Sequence, residues 1–178
     1  LTSLNQSSRL STDPSAAVKN THKLINDNVD VIIGSSITPS TLAMVDVVAE
    51  KQTPLIALAA SSRIVEPMDA KRAWVFKIPQ NDSLVAGGIV EHMVKSGIKT
   101  VAYIGFSDAY GEGWHTEFSK LAEAAGIKLI AKEVYGRADT SVTAQALKLV
   151  LANPEAILIG AVGTPGVLPQ ATLIERGY

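Results

Sequence analysis

Five apolar runs in this 178-residue chain each end in a cluster of glycine and hydroxyl residues, and those clusters hold most of the residues able to do chemistry. Residues 30–33 lead into Gly34-Ser35-Ser36-Ile37-Thr38, and residues 55–58 into Ala59-Ala60-Ser61-Ser62. Residues 101–104 lead into a glycine-rich stretch, 105–113, that carries Tyr110. Residues 130–134 end at Tyr135-Gly136, which reads as an ordinary turn, and residues 157–159 end at Gly160-Ala161-Val162-Gly163-Thr164-Pro165. Hydroxyls and free backbone N–H groups at the start of a helix make an anion site, because the helix dipole adds positive potential there. For Thr38 or Ser40 the competing role is N-capping, which needs a single hydroxyl. The small residues 59–62 let backbone approach a ligand closely, and a serine there can donate to a carboxylate; the alternative is a plain serine-rich turn. Tyr110 on a loop offers a ring face and an O–H to a ligand, or else it packs over its own helix.

Other chemistries find little support. His22, His92 and His115 fall one per expected helix with no carboxylate at ligand spacing, so no metal site is expected. There is no G-x-S-x-G elbow and no P-loop, and Gly160, Gly163 and Gly166 do not make a dinucleotide fingerprint. Asp108 and Glu112 read as capping or solvated groups. With no cysteine, disulfides, thiolate nucleophiles and Cys-based zinc sites are excluded. No catalytic set and no cofactor site emerges, and the expectation is a protein that is not an enzyme. A net charge of -1, from 16 basic and 17 acidic residues, argues against a nucleic-acid partner, which needs clustered positive charge. No apolar run approaches the roughly 18 residues of a membrane span, so no membrane insertion is expected. The opening Leu1-Thr2-Ser3-Leu4-Asn5 lacks the regions of a signal peptide, which suggests a mature, trimmed or incomplete chain.

The elements that must position these clusters alternate. Residues 1–12 read as loop or tail. Asp13-Pro14 is a helix start, an N-cap acceptor followed by proline at the first position. Residues 29–33 are almost all apolar, as expected of a strand buried on both faces. A helix is expected over 39–51, with Leu42, Val45, Val48 and Ala49 on one face, and a strand over 54–58. The stretch 62–82, broken by Pro67 and Pro79, reads as a crossover containing one short extended run at 74–78. Helices over 83–96, 113–125, 141–152 and from Pro165 then alternate with strands over 100–105, 128–134 and 156–160. Such alternation predicts an α/β fold with parallel sheets flanked by helices. Ligands in such folds bind outside the carboxyl ends of the strands. The boundary is expected near residue 79, dividing a lobe of 1–79 from one of 80–178. Two strands against three suggests that the first lobe is incomplete, since so small a sheet is hardly self-sufficient.

The segments Asp13-Pro14-Ser15-Ala16-Ala17-Val18, Val29-Asp30-Val31-Ile32-Ile33-Gly34-Ser35, Thr53-Pro54-Leu55-Ile56 and Ser107-Asp108-Ala109-Tyr110-Gly111-Glu112-Gly113 occur in this order. Together they resemble the extracytoplasmic solute-binding proteins of branched-chain amino-acid-type ABC transporters, over about residues 12–178. The resemblance implies the type I periplasmic binding fold, two Rossmann-like lobes that close by a hinge on a small carboxylate ligand for delivery to permease subunits of an ABC transporter. It implies a periplasmic or extracytoplasmic location and a chain about twice this length. It places the carboxylate-binding hydroxyls on Thr38 and Ser61, a carbonyl for a ligand amino group on Ala59, and a closing aromatic on Tyr110. At Gly163 and Thr164 some members carry a further aromatic, and its absence here leaves room for a larger ligand side chain. The family's acidic partner for a ligand ammonium would lie beyond Tyr178. Amino acids, aromatic acids and 2-oxo acids all remain open as ligands, and a sensor domain of the same fold or an enzyme on a doubly wound sheet are the rival readings.

Overall fold

The computed structural model describes residues 13–178; the tail expected at 1–12 lies outside them. The chain divides into two compact units, one ending at Asn81 and the other running from Asp82 to Tyr178. Among the described residues no helix is long and apolar enough to cross a membrane.

The first unit contains α1 (Pro14–Asn26), β1 (Ile32–Ile33), α2 (Thr38–Glu50), β2 (Leu55–Ala57) and β3 (Val75–Lys77). Asp13 caps α1 by accepting from the Ser15 N–H at 2.8 Å, and Pro14 occupies the first turn, where its missing N–H has no cost. The strands form one parallel sheet in the order β1-β2-β3. This corrects the reading of 62–82 as a bare crossover. Its extended run is a third strand, in register with β2 from Leu55–Val75 to Ala57–Lys77. The stretch before it holds two short 3-10 turns, Ser62–Ile64 and Arg72–Trp74.

A second correction concerns burial. The row Ile32, Leu55 and Val75 packs with Ala17 of α1 and Met44, Val45 and Val48 of α2 into a single core. One residue further along, Ile33 is 67% exposed and Phe76 58% exposed. Both helices of this unit cover the same face, so among the described residues the all-apolar strand sequence is buried on one side only.

The second unit contains α3 (Asp82–Lys95), β4 (Thr100–Phe106), α4 (Ala109–Ala124), β5 (Lys128–Tyr135), α5 (Thr143–Ala152), β6 (Ala156–Gly160) and α6 (Thr164–Glu175). Its sheet is parallel in the order β5-β4-β6. Here both faces are covered. Ala86, Val90 and Met93 of α3 and Phe118 and Ala122 of α4 pack with Val101. On the opposite face Val142, Ala146 and Leu149 and, from α6, Leu173 pack with Ala102, Ile104 and Phe106.

The helix expected over 113–125 begins four residues earlier, at Ala109. Asp108 is its N-cap, accepting from the N–H groups of Tyr110 and Gly111 at 2.9 and 3.3 Å. Gly111 is therefore not a turn glycine. A Cβ there would meet the Phe106 carbonyl oxygen at 2.0 Å, so glycine is what lets the first turn of α4 lie directly on the end of β4. Beside it, the buried Tyr103 phenol donates to the Gly111 carbonyl at 2.6 Å.

Candidate functional site

In the first unit the sheet pairing runs on past the strands into the loops at their carboxyl ends. The Gly34 N–H donates to the Ile56 carbonyl at 2.9 Å, Leu58 N–H to Ser35 at 3.1 Å, and Ile78 N–H to Ala57 at 3.1 Å. The clusters after β1 and β2 are thereby held at one edge. Gly34 has φ +123°, a conformation that side chains rarely adopt. Ser35 Oγ accepts from the Ile37 N–H at 3.1 Å, and Thr41 Oγ1 lies 3.0 Å from the carbonyl oxygens of both Ser35 and Ile37. The loop leading into α2 is thus braced by its own hydroxyls.

Thr38 and Ser61 behave differently. Ile37 occupies the N-cap of α2 without any side-chain cap bond, so the capping role open to Thr38 is not the one it takes. Thr38 is 1% exposed, and its Oγ1 has no hydrogen-bond partner. Ser61 is fully buried, directly before the turn Ser62–Ile64, and its Oγ neither caps that turn nor bonds elsewhere. Leaving a buried hydroxyl unsatisfied costs about 1–3 kcal/mol. Both residues follow strands at one sheet edge, and Thr38 opens the 13-residue helix α2, whose N-terminus carries positive potential. Ala59, 1% exposed, lies two residues before Ser61. Sequence reasoning passed over Lys77. Its ammonium sits at the same edge and donates to the carbonyls of Ala60, Pro79 and Gln80 at 3.0, 2.6 and 3.0 Å. A lysine closing a strand just before a proline is the only signal that pointed to it.

In the second unit Tyr110 lies in the first turn of α4, not on a loop tip. Its ring is tilted against Phe106, with centroids 6.3 Å apart, and burial pushes its phenol above the ordinary pKa. Sequence reasoning missed Phe106 and Arg137. The Arg137 guanidinium lies 4.1 Å from the Phe106 centroid and 5.7 Å from that of Tyr110, and its Nε donates to Asp108 Oδ2 at 2.6 Å. One carboxylate therefore caps α4 and holds the arginine across both rings. Gly163 (φ +68°) and Thr164, exposed, follow β6, which neighbours β4.

Tyr135 is also more than a turn residue. It is 2% exposed, packs against Phe106 at 5.3 Å, and donates to the Pro165 carbonyl at 2.8 Å, tying the start of α6 to β5. Burial pushes its pKa from 10.0 up to about 12. Above pH 10 the unfolded chain loses a proton that the folded chain keeps, so stability falls as pH rises between those values. Urea midpoints should drop over that interval, and Tyr135→Phe should flatten the drop. An equally steep pH dependence in the variant would rule Tyr135 out as its source.

A family model described as periplasmic binding protein matches residues 11–178. The leucine-, isoleucine-, valine-, threonine-, and alanine-binding protein of Pseudomonas aeruginosa is 28% identical over 167 residues, 92% of this chain and 42% of that protein. An extracellular ligand-binding receptor from Rhodopseudomonas palustris HaA2 superposes with a TM-score of 0.91 at 47% identity, covering 94% of this chain and 46% of that one. A solute binding protein of an ABC transporter from the same organism, in complex with p-hydroxybenzoic acid, superposes with a TM-score of 0.84 at 20% identity, covering 93% of this chain and 45% of that one; that likeness is one of fold. The chain spans less than half the length of these proteins.

Proposed function

The chain belongs to the periplasmic binding protein family, and on that premise we propose that it captures a small organic carboxylate outside the cytoplasm and delivers it to an ABC permease. The observation that carries this reading is the pair of buried hydroxyls, Thr38 Oγ1 and Ser61 Oγ, that have no partner among the described residues. A carboxylate is an acceptor with about four lone-pair sites, so it satisfies both hydroxyl donors at once. Hydrogen bonds to a charged group are also the stronger kind. The Ala59 carbonyl is the proposed acceptor for a ligand ammonium. In the second unit Tyr110 is the proposed aromatic contact, and Gly163 and Thr164 are the proposed specificity positions.

Two ligand classes fit this chemistry. The Pseudomonas aeruginosa relative is named for aliphatic amino acids. The partly exposed Tyr110 ring and Arg137 guanidinium, backed by the buried Phe106, suit an aromatic acid, whose ring stacks on aromatic and guanidinium faces. Calorimetry on the intact protein with leucine and with benzoate separates them. For whichever probe binds, Thr38→Val should weaken affinity about tenfold, the loss of one charge-assisted hydrogen bond. Unchanged affinity in Thr38→Val would remove Thr38 from the site.

A further inference from the structure

The structure assigns to Lys77 a positioning role: its ammonium locks the turn that presents Ser61 and joins that turn to the last residues before the second unit. An ammonium has three donors and no acceptor. At Lys77 three main-chain carbonyls receive them, one from the turn after β2 (Ala60) and two from the segment after β3 (Pro79 and Gln80). Lys77 stands opposite Ala57 in the register, so it reaches forward over the end of β2.

The bond to Ala60 matters because of peptide geometry. The Ala60 carbonyl and the Ser61 N–H belong to one planar amide. Holding the oxygen fixes that plane, and with it the direction in which Ser61 leaves the backbone. Ser61 has no side-chain hydrogen bond of its own to hold it, and its backbone is extended with φ -58° and ψ 132°. Main-chain bonds also hold this stretch: the Leu58 N–H donates to the Ser35 carbonyl at 3.1 Å, the Ile64 N–H to the Ser61 carbonyl at 3.3 Å, and the Val65 and Glu66 N–H groups to the Ser62 carbonyl at 3.0 and 2.8 Å. On its other side, Asn81 Nδ2 donates to Glu66 Oε1 at 2.8 Å. The segment 79–81 is therefore fastened both to the Ser61 turn and to the chain that follows it. A carboxylate pulling on Ser61 would be felt at 79–81 through a single side chain.

This inference rests on Ser61 being a ligand contact, and the test separates the two ideas. Amide hydrogen exchange on the intact protein comes first, because it needs no ligand. Lys77→Met should speed exchange in residues 59–62 and 78–81 while the α2 and β2 amides keep parental rates, with Lys77→Gln intermediate. Unchanged exchange in both segments, or a uniform rise across the first unit, overturns the proposal. Calorimetry with leucine and benzoate comes second. Lys77→Met should weaken the bound probe about tenfold in the parent and add nothing in a Ser61→Ala background, because residues acting through one contact are not additive. Additive losses, or no loss, overturn the Lys77 role while leaving Ser61 in place. If Ser61→Ala itself has no effect on a probe that binds, the site reading falls, and the exchange pattern still decides whether Lys77 holds the turn. If neither probe binds, the exchange pattern decides alone.

Discussion

Ser61→Ala weakens carboxylate binding roughly 10- to 100-fold, the loss of about 1.5–3 kcal/mol expected for a hydrogen bond to a charged group, while the ligand-free protein becomes no less stable. The two effects have opposite signs for one reason. The Ser61 hydroxyl is fully buried with no partner among the described residues, so without a carboxylate it carries a desolvation cost that no such group offsets. Alanine removes that penalty and leaves a void only the size of one oxygen. When a carboxylate is present the same hydroxyl becomes a satisfied donor, and alanine then loses a contact made in a dry site. Urea unfolding of the empty protein and calorimetry with the binding probe read the two terms separately. A Ser61→Ala protein that is destabilised by more than about 1 kcal/mol, the worth of an ordinary satisfied hydrogen bond, would show that the hydroxyl has a structural partner. A protein that binds as the parent does would show that the ligand lies elsewhere.

Gly111→Ala should destabilise the second unit by about 3 kcal/mol or more, at the upper end of overpacking costs. Within a helix, alanine ordinarily gains up to about 1 kcal/mol over glycine, so the sign depends on what the methyl meets. At Gly111 it meets main chain: the Phe106 carbonyl oxygen at 2.0 Å and the Phe106 nitrogen at 2.7 Å. Neither can rotate away. Relief requires α4 to lift off the end of β4, which would drag Asp108, Tyr110 and the Tyr103–Gly111 bond with it. Gly88 in α3 is the matched control, because nothing lies within 4 Å of its added methyl. Gly88→Ala should raise the urea midpoint while Gly111→Ala lowers it. Equal shifts in the two variants would show that helix propensity, not the contact with β4, sets the outcome.

Gly111 also shows where sequence reading stops. Two glycines at 111 and 113 look like a loop, because glycine is both a poor helix former and a turn residue. The same residue is required wherever two backbones touch, and only the fold reveals which case applies. Reading them as loop moved the helix start four residues late and left Tyr110 on a loop tip instead of in a packed first turn. The 74–78 run was undervalued in the same way. Its three paired residues lie between prolines at 67 and 79, and a strand that short gains its identity from β2 alongside it, not from its own pattern.

What the sequence determined by itself was the α/β class, the parallel βαβ order, and the family, because each is written in local alternation and in motifs of adjacent residues. Position marked the hydroxyl clusters at 34–41 and 59–62, and the resemblance to the family is what pointed to Thr38 and Ser61 within them. The tertiary structure decided what needs partners distant in the chain. It showed that, among the described residues, Thr38 and Ser61 are buried without a hydrogen-bond partner and the first sheet is covered on one face. It brought Arg137 across Phe106 and Tyr110, and set Lys77 under the Ser61 turn. Burial and hydrogen-bond satisfaction are properties of surroundings, and Lys77 lies 16 positions after Ser61 in the chain; only the pairing of β2 and β3 brings them together.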